Sequence, residues 1–286
     1  MASLRDLRAR IRSLRNTQQI TKAMKQVAAA KIRRAELLQK QSRPYADAIG
    51  EMLRDLISAV GTIDHPFMKP GAAGVPAGVI LMTADKGLAG SFNSNVISAA
   101  EEYRRMQPSG VRWYTVGIKG RNHVRRRDEV QAFWPQSTGV KLDVAREIAQ
   151  RAGEDFIAGK ISRITLIAQK MVTIMVQRPE TRELVPVTRE QSARQPTGPR
   201  SVVEFEPAPE VVLSRLLPKY LEFTIYSTML ETDAAFFAAQ LIAMSNATDN
   251  AGKLIDELTL EMNKARQAAI TKEILEIVGG AEALAS

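Results

Sequence analysis

Residues 237–269 read FAAQLIAMSNATDNAGKLIDELTLEMNKARQAA, and apolar or small side chains recur along this stretch at alternating spacings of four and three. The recurring positions are Phe237, Leu241, Met244, Thr248, Ala251, Ile255, Leu258, Met262, Ala265 and Ala269. A repeat of 3.5 residues is the signature of an α-helix that packs along a partner helix in a left-handed supercoil. The wider stretch 219–278 contains no proline and a single glycine, Gly252, which favours one long helix.

The best partner for this helix lies at the other end of the chain. Residues 1–43 contain no proline or glycine, and the same rhythm is kept there by Leu4, Leu7, Ile11 and Leu14. After a polar stretch we expect Ile20, Met24 and Val27 to resume it. Tyr45, Ile49, Leu53, Leu56 and Val60 extend the stripe beyond Pro44, so the first helix should run from about residue 3 to the late fifties. A helix of that length spans about 80 Å, so part of it is expected to project.

Small residues are concentrated where the two helices are expected to meet. They are Ala28, Ala29 and Ala30 on the first helix and Ala247, Ala251, Ala265, Ala268 and Ala269 on the second. Small side chains let helices approach closely, so a thin shaft is predicted. Near the far end of the second helix, Ile270, Ile274, Leu275, Ile277 and Val278 lie off the repeat. A helix that is apolar on more than one face is expected to be enclosed by a further partner.

The middle of the chain alternates between strand patterns and amphipathic helix patterns. Strands are predicted at 79–83, 112–116 and 163–168, with edge strands or a ribbon at 173–177, 183–187 and 202–205. Helices are predicted at 93–106, 119–127 and 143–158. This alternation indicates a small parallel, doubly wound sheet. The predicted fold class is α/β: an antiparallel coiled coil of residues 1–60 and 209–286, with a small Rossmann-like globular domain over residues 61–208.

Composition excludes several classes of site. The 286 residues include no cysteine, which excludes disulfides, iron–sulfur centres and thiolate zinc sites. The two histidines, His65 and His123, are far apart in the sequence, so no dedicated metal centre is expected. No apolar run reaches the 18 residues of a membrane span. The arginine-rich residues 1–19 are compatible with a transit peptide, but the repeat begins at Leu4 and continues past them, which favours a bacterial cytoplasmic protein.

The formal charge of +9 is unevenly distributed. Residues 1–43 hold twelve basic and two acidic residues, whereas residues 229–286 hold nine acidic and four basic ones. Opposite charges favour pairing of the two helices, although each exposed ion pair contributes less than about 1 kcal/mol. The surplus of basic residues in 22–34 is expected to face acidic groups of another protein.

Two glycine-bearing segments are candidates for phosphate loops. Residues 84–93 (ADKGLAGSFN) follow a predicted strand and precede a helix, but Lys86 precedes the first glycine and the P-loop spacing is missing. A tight turn with Ser91 or Asn93 as the helix cap is the preferred interpretation. Gly153 and Gly159 are six residues apart and lie in a helix-to-strand segment, so Gly159 is interpreted as a helix C-cap. We predict no catalytic residue, no cofactor-binding residue and no metal ligand, which leaves the helix pair as the functional element.

Specific motifs stand at both ends and in the middle of the chain. At the N-terminus they are RIRSLRNT (10–17) and ITKAM (20–24), with Val27 and Lys31. In the middle the motif is DKGLAGSFN (85–93). At the C-terminus they are AM (243–244), ATDNA (247–251), NKARQAAITKEI (263–274) and EIVGGA (276–281). Together these motifs resemble the gamma subunit of the rotary F-type ATP synthase.

The resemblance implies a central-stalk rotor that couples ion-driven rotation of the membrane ring to conformational cycling of the catalytic subunits, without being catalytic itself. Its partners would be a ring of three catalytic and three non-catalytic ATPase subunits, the epsilon subunit and the membrane c-ring. It would lie peripherally on the cytoplasmic side of a bacterial cell membrane. Arg266, Gln267 and Thr271 would contact the surrounding loops, while Lys22, Met24 and Lys25 would face an acidic lever of a catalytic subunit.

The chain departs from the family pattern at a few positions. An acidic residue, a polar residue and a later Arg-Met are usual where Phe236, Phe237, Gln240 and Leu241 stand, so we expect apolar packing there instead of a polar contact. Tyrosine is usual at the position of Met262, a change expected to affect helix packing.

Two other functions are compatible with parts of the sequence. A nucleic-acid-binding coiled coil would use the basic first helix, but residues 1–43 contain none of the aromatic side chains on which bases stack. A small nucleotide-binding α/β enzyme with a coiled-coil arm would bind ATP or a dinucleotide as an isolated chain, whereas a stalk subunit would not.

Overall fold

The computed structural model describes residues 3–59, 65–136, 141–187 and 209–285. Its helices are α1 (Leu4–Ala59), α2 (Phe92–Arg105), α3 (Ile118–Val124), α4 (Lys141–Ile157) and α5 (Pro209–Ala285), with a short 3₁₀ helix at Pro66–Met68. Its strands are β1 (Ala77–Met82), β2 (Val111–Val116), β3 (Val130–Trp134), β4 (Ile164–Met171) and β5 (Gln177–Val185).

The two terminal helices are as long as the sequence predicts. Helix α1 has 56 residues and continues through Pro44, and α5 has 77 residues, beginning at Pro209. At the start of α1, the backbone N–H of Asp6 donates to the hydroxyl of Ser3 and the N–H of Ser3 donates to the Asp6 carboxylate, both at 3.2 Å. This reciprocal capping satisfies donors that have no partner inside the helix.

The contacts within the chain define two compact units. One, here called the coil unit, comprises Met1–Ala28 and Leu241–Ser286. The other, the globular unit, comprises Ala29–Gln240. Each terminal helix therefore contributes to both units.

The globular unit contains a five-stranded sheet in the order β3-β2-β1-β4-β5. The strands β1 to β4 are parallel, with Ile80 of β1 opposite Tyr114 of β2 and Leu166 of β4. The edge strand β5 runs antiparallel to β4. The predicted parallel, doubly wound arrangement is confirmed.

Two strand predictions are wrong in detail. Residues 173–177 were predicted as a strand, but residues 172–176 form the turn of the β4–β5 hairpin, in which the Val172 and Val176 backbones bond across the turn. The predicted strand at 183–187 is instead β5, which begins at Gln177 and ends at Val185. Strand β3 was not predicted, because its side chains are only half-buried and lack a clear alternation. The predicted strand at 202–205 lies outside the described residues.

Helices cover both faces of the sheet. On one face, a large apolar cluster joins Ile80 and Leu166 of the sheet to Ile148 of α4, Leu56 of α1 and Leu221 of α5. On the other face, a smaller cluster joins the sheet to Val96 and Ala100 of α2 and Val124 of α3. The terminal helices are therefore part of the core of the globular unit, since the first cluster contains buried residues of both.

A buried carboxylate ties the sheet to α4. The hydroxyl of Tyr114, which is fully buried, donates to Oδ2 of Asp155 at 2.7 Å, and Nζ of Lys160 donates to Oδ1 at 3.0 Å. Burial alone would raise the pKa of Asp155, but these two hydrogen bonds and the nearby cations Lys160 and Arg151 bring it below the usual value for aspartate. The carboxylate is thus held in its charged form inside the core.

Candidate interaction surfaces of the terminal helices

The 3.5-residue repeat of α5 forms the packed face of the coil unit. Every predicted repeat position from Leu241 to Ala269 is at least partly buried, and Met244, Ala251 and Ile255 are the most buried. On α1, Leu7 and Ile11 are buried and Leu4 and Leu14 are partly buried. The predicted pairing of the terminal helices is confirmed in this unit.

The continuation of the repeat on α1 was predicted incorrectly. Ile20 and Val27 are 60% and 54% exposed, whereas their neighbours Thr21 and Ala28 are 8% and 0% exposed. The spacing of three and four continues from Leu14 without interruption through residues 18, 21, 25 and 28. Hydrophobicity therefore pointed to the wrong residues here, and the spacing alone identifies the packed ones.

Polar side chains cross between the helices along this middle part of the coil unit. The hydroxyl of Thr248 donates to Oγ1 of Thr21 at 2.8 Å, and Nζ of Lys25 donates to Oγ of Ser245 at 2.9 Å. Nε2 of Gln18 lies 3.5 Å from the carbonyl of Thr248. Residue numbers rise on α1 as they fall on α5, so the helices are antiparallel. Polar groups at packed positions specify the register of a helix pair at some cost in stability.

The three residues of α1 that are expected to contact a partner, Lys22, Met24 and Lys25, differ in their exposure and hydrogen bonding. Lys22 is exposed and Met24 is partly buried. Lys25 is partly buried and bonded to Ser245, so its charge is engaged by the helix pair itself. Of the two lysines expected to face a catalytic subunit, Lys22 is the better placed for it.

The three expected contact residues of α5 are all exposed. Arg266, Gln267 and Thr271 lie near the far end of the helix, where the Thr271 hydroxyl donates to the Gln267 carbonyl at 3.0 Å. At 100° per residue, Gln267 and Thr271 share a face with Ile270, Ile274 and Val278, each of which is about half exposed. We call the three aliphatic residues of this face, Ile270, Ile274 and Val278, the apolar stripe.

The apolar stripe lies opposite the packed face that contains Ala265 and Ala269. Ala268 was predicted to pack between the helices but is exposed, because it lies one residue off the repeat. Three half-exposed aliphatic side chains on one face, next to polar side chains, are typical of a surface that another protein covers.

The expected apolar packing around Phe236 and Phe237 is present in the globular unit. The Phe236 ring is 5% exposed and meets the ring of Phe92 edge to face, with centroids 5.4 Å apart. The ammonium group of Lys31 lies 5.3 Å from the centroid of Phe237, a cation–π contact between α1 and α5.

The turn at residues 84–93 is held together by its own side chains. Oδ1 of Asn93 accepts the N–H of Ala84, and Nδ2 of Asn93 donates to the Lys86 carbonyl. Oδ1 of Asp85 accepts the N–H of Ile118, the first residue of α3. The position where an anion would bind at the start of α3 is therefore filled by a carboxylate of the chain itself. The bonds of Asn93 within the turn favour the structural interpretation over a phosphate loop before α2. The predicted side-chain cap is wrong, because Ser91 stands at the N-cap of α2 but makes no capping hydrogen bond and Asn93 bonds to the turn instead.

Within 3–59, 65–136, 141–187 and 209–285, there is no group of three or more His, Cys, Asp or Glu side chains that could hold a metal ion. In the same part of the chain, no helix is both long and apolar enough to cross a membrane.

The chain is similar to known proteins along its whole length. A profile of the ATP synthase family matches residues 3–284. The ATP synthase gamma chain of Desulforamulus reducens is 43% identical over 287 residues, which cover 99% of this chain and all of the relative. The ATP synthase gamma chain of Pelotomaculum thermopropionicum is 44% identical over 290 residues, with the same coverage.

Solved structures share the fold at lower identity. A chain of the Euglena gracilis mitochondrial ATP synthase (OSCP/F1/c-ring, rotational state 3) has a TM-score of 0.71 at 16% identity, over 98% of this chain and 94% of that one. A chain of the Tetrahymena thermophila mitochondrial ATP synthase (central stalk/c-ring) has a TM-score of 0.60 at 22% identity, over 80% and 99%. From its full-length match to the family profile and its identity of more than 40% to these bacterial relatives, the chain belongs to the ATP synthase gamma-chain family.

Proposed function

We propose that this chain is the central-stalk rotor subunit of a bacterial ATP synthase. It couples ion-driven rotation of the membrane ring to the conformational cycle of the catalytic subunits, and it carries no catalytic site of its own. The single observation on which this proposal depends most is the full-length identity of more than 40% to bacterial ATP synthase gamma chains.

The helix pair supplies the mechanical element that this function needs. A shaft that transmits rotation must not let its two helices slide past each other. The Thr21–Thr248 and Lys25–Ser245 hydrogen bonds supply directional contacts across the pair, in addition to the apolar packing. Close packing at Ala28 and Ala251 keeps the pair narrow.

Three classes of partner follow from the proposed function. The ring of three catalytic and three non-catalytic subunits would enclose the apolar stripe, with Arg266, Gln267 and Thr271 in polar contact with its loops. Lys22 and Met24 would lie against an acidic segment of a catalytic subunit. The epsilon subunit and the c-ring would bind the globular unit. The proposed location is peripheral, on the cytoplasmic side of the bacterial membrane. The match to the ATP synthase family supports the peripheral part of this proposal.

Co-purification tests the proposal directly. A tagged chain isolated from native membranes is expected to bring the ATPase subunits with it, at one copy per hexamer. Recovery of the chain alone, or as a homo-oligomer, contradicts the proposal. Equilibrium binding of ATP or a dinucleotide to the isolated chain would support the enzyme alternative, whereas a stalk subunit is expected to bind neither.

A further inference from the structure

The loops that leave the carboxyl ends of β1, β2 and β3 are bonded to one another. Oδ1 of Asp85, after β1, accepts the N–H of Ile118, after β2, at 3.0 Å, and the N–H of Gln136, after β3, at 3.2 Å. In return, Oε1 of Gln136 accepts the N–H of Asp85 at 3.2 Å. The three loops therefore form one connected polar platform at this edge of the sheet.

Helix α5 is bonded to this platform through Asp233. One carboxylate oxygen of Asp233 accepts from Nε2 of Gln136 at 2.7 Å, and the other lies 2.7 Å from Nζ of Lys141 at the start of α4. The side chains of Asp233 and Lys141 are only 16% and 22% exposed. Partly buried, charge-assisted hydrogen bonds of this length are stronger and more directional than exposed ion pairs.

An aromatic contact lies beside the ion pair. Phe236 packs against Phe92, the first residue of α2, in a small apolar cluster that also contains Ala84, Ala89 and Ala235. Asp233 and Phe236 are about 60° apart around the helix axis, since successive residues are about 100° apart. Helix α5 is therefore held at two adjacent points of its circumference by the same end of the sheet.

The two contacts resist rotation of the helix in different ways. Apolar packing is non-directional, so it opposes a turn of the helix only through the buried area that the turn would expose. Hydrogen bonds weaken steeply when donor and acceptor lose alignment, so Asp233 opposes such a turn. The Phe92–Phe236 contact adds buried apolar surface beside Asp233, and the hydrogen bonds of Asp233 are the more sensitive of the two to the orientation of the helix.

We propose that Asp233, with Gln136 and Lys141, is the positioning residue that locks α5 against rotation relative to the α/β domain, and that torque enters the helix at this joint. This assignment rests on the rotor function proposed above and deepens it by naming the contact through which torque passes to α5. It predicts that breaking the joint uncouples ion movement from ATP turnover more than it slows ATP turnover itself.

The test uses the whole ATP synthase in vesicles, with ATP-driven ion pumping and ATP hydrolysis measured on the same sample. Asp233→Ala and Lys141→Met are expected to lower the ratio of pumping to hydrolysis about two-fold or more, because each leaves a partly buried charge without its partner. Asp256→Ala, an exposed acidic residue of the same helix, is the matched control and is expected to keep the wild-type ratio. If Asp233→Ala also keeps the wild-type ratio of pumping to hydrolysis, the contact at Asp233 does not transmit torque and the proposal is wrong.

A reversible cross-link separates a broken joint from a misfolded chain. The chain has no cysteine, so Gln136→Cys/Asp233→Cys introduces a unique pair. We expect this variant to couple poorly when its thiols are free, to recover on treatment with a short bifunctional methanethiosulfonate, and to lose coupling again with a reductant. Failure of the cross-link to restore coupling would overturn the proposal. Absence of the wild-type chain from the purified complex would instead overturn the rotor function.

Discussion

Thr21 and Thr248 face each other across the helix pair, with their hydroxyl oxygens 2.8 Å apart although they are 227 positions apart in sequence. Thr21 donates its own proton to the Gln18 carbonyl at 3.0 Å, and the single proton of the Thr248 hydroxyl is shared between Thr21 Oγ1 and the Met244 carbonyl, 2.7 Å away. This pair places a polar contact at a packed position of the coil unit. Such a contact costs stability compared with two aliphatic residues, and it favours one register over others.

Removing one hydroxyl of this pair should destabilise the chain more than removing both. Thr248→Val is expected to cost about 1 kcal/mol, because the Oγ1 acceptor of Thr21 loses its donor inside the helix pair. The double variant Thr21→Val/Thr248→Val is expected to recover most of that loss. Thermal unfolding followed by helical circular dichroism measures both.

Thr17→Val is the matched control for this pair, since Thr17 is exposed and its hydroxyl bonds only within its own helix. Its effect should be a few tenths of a kcal/mol. If the double variant Thr21→Val/Thr248→Val is destabilised by the sum of the losses of Thr21→Val and Thr248→Val, the two hydroxyls act independently.

The packed and exposed alanines of α5 should respond differently to a large side chain. Ala251→Trp is expected to destabilise the chain by about 1 to 3 kcal/mol or more, because the residue is 5% exposed and the helices leave no room for an indole. Ala268→Trp, on the exposed surface of the same helix, should leave the isolated chain's unfolding temperature nearly unchanged. Equal shifts in the two variants would mean that the assigned packed face is wrong.

The buried Asp155 should make stability sensitive to acid. Its pKa in the folded chain is below the usual value, so its contribution is present above about pH 4, the ordinary pKa of aspartate, and is lost as the pH falls further. Asp155→Asn is expected to be less stable than the wild type by about 1 to 3 kcal/mol at neutral pH. The difference should shrink as the pH is lowered from 5 to about 3 in denaturant titrations.

Asp143→Asn supplies the comparison for that measurement. Asp143 lies on the same helix, but its side chain is 61% exposed and paired only with the exposed Arg146. Its stability difference from the wild type should be small at every pH. A gap between wild type and Asp155→Asn that stays constant with pH would contradict the charged, buried state of the carboxylate.

The apolar stripe should matter for assembly and not for the folding of the chain alone. Ile274→Asp places a charge on a side chain that is 54% exposed, so the isolated chain should unfold at nearly the same temperature as wild type. In the complex the same charge would be buried by the proposed partner ring, and incorporation of the chain or ATP hydrolysis should fall strongly. Native gel electrophoresis and ATPase assays of the reconstituted complex measure the two effects.

Leu254→Asp controls for the introduction of a charge as such. Leu254 is 47% exposed on the same helix and lies one residue from the packed position Ile255, outside the apolar stripe. A similar loss of assembly in both variants would argue against a specific role of the apolar stripe.

Periodicity was a reliable guide to the helices and a partial guide to their contacts. The repeat from Leu241 to Ala269 identified the packed face of α5 because no residue interrupts its spacing. On α1, hydrophobicity predicts Ile20 and Val27 as packed positions, but the spacing from Leu14 leads to Thr21 and Ala28, which are the buried residues. A threonine pair and a lysine–serine pair at packed positions cannot be recognised from either helix alone, since each depends on what faces it.

Strand β3 and the contact at Asp233 were both missed by sequence patterns, for different physical reasons. Strand β3 is half-buried at the edge of the sheet, so it lacks the continuous apolar run that predicted β1 and β4. In the sequence, Asp233 is one of nine acidic residues in 229–286, and no local pattern distinguishes it from the others. Its two partners, Gln136 and Lys141, lie about a hundred residues earlier, and only the folded chain brings them together.

The distance in sequence between Thr21 and Thr248 also has a consequence for biosynthesis. At about 5 to 20 residues per second, a ribosome needs roughly 10 to 45 s to reach the second threonine after making the first. During that interval the nascent N-terminal segment is basic, amphipathic and without its mate. Its packed positions, Leu7, Ile11 and Ala28 among them, have no partner within the chain until the second helix is made.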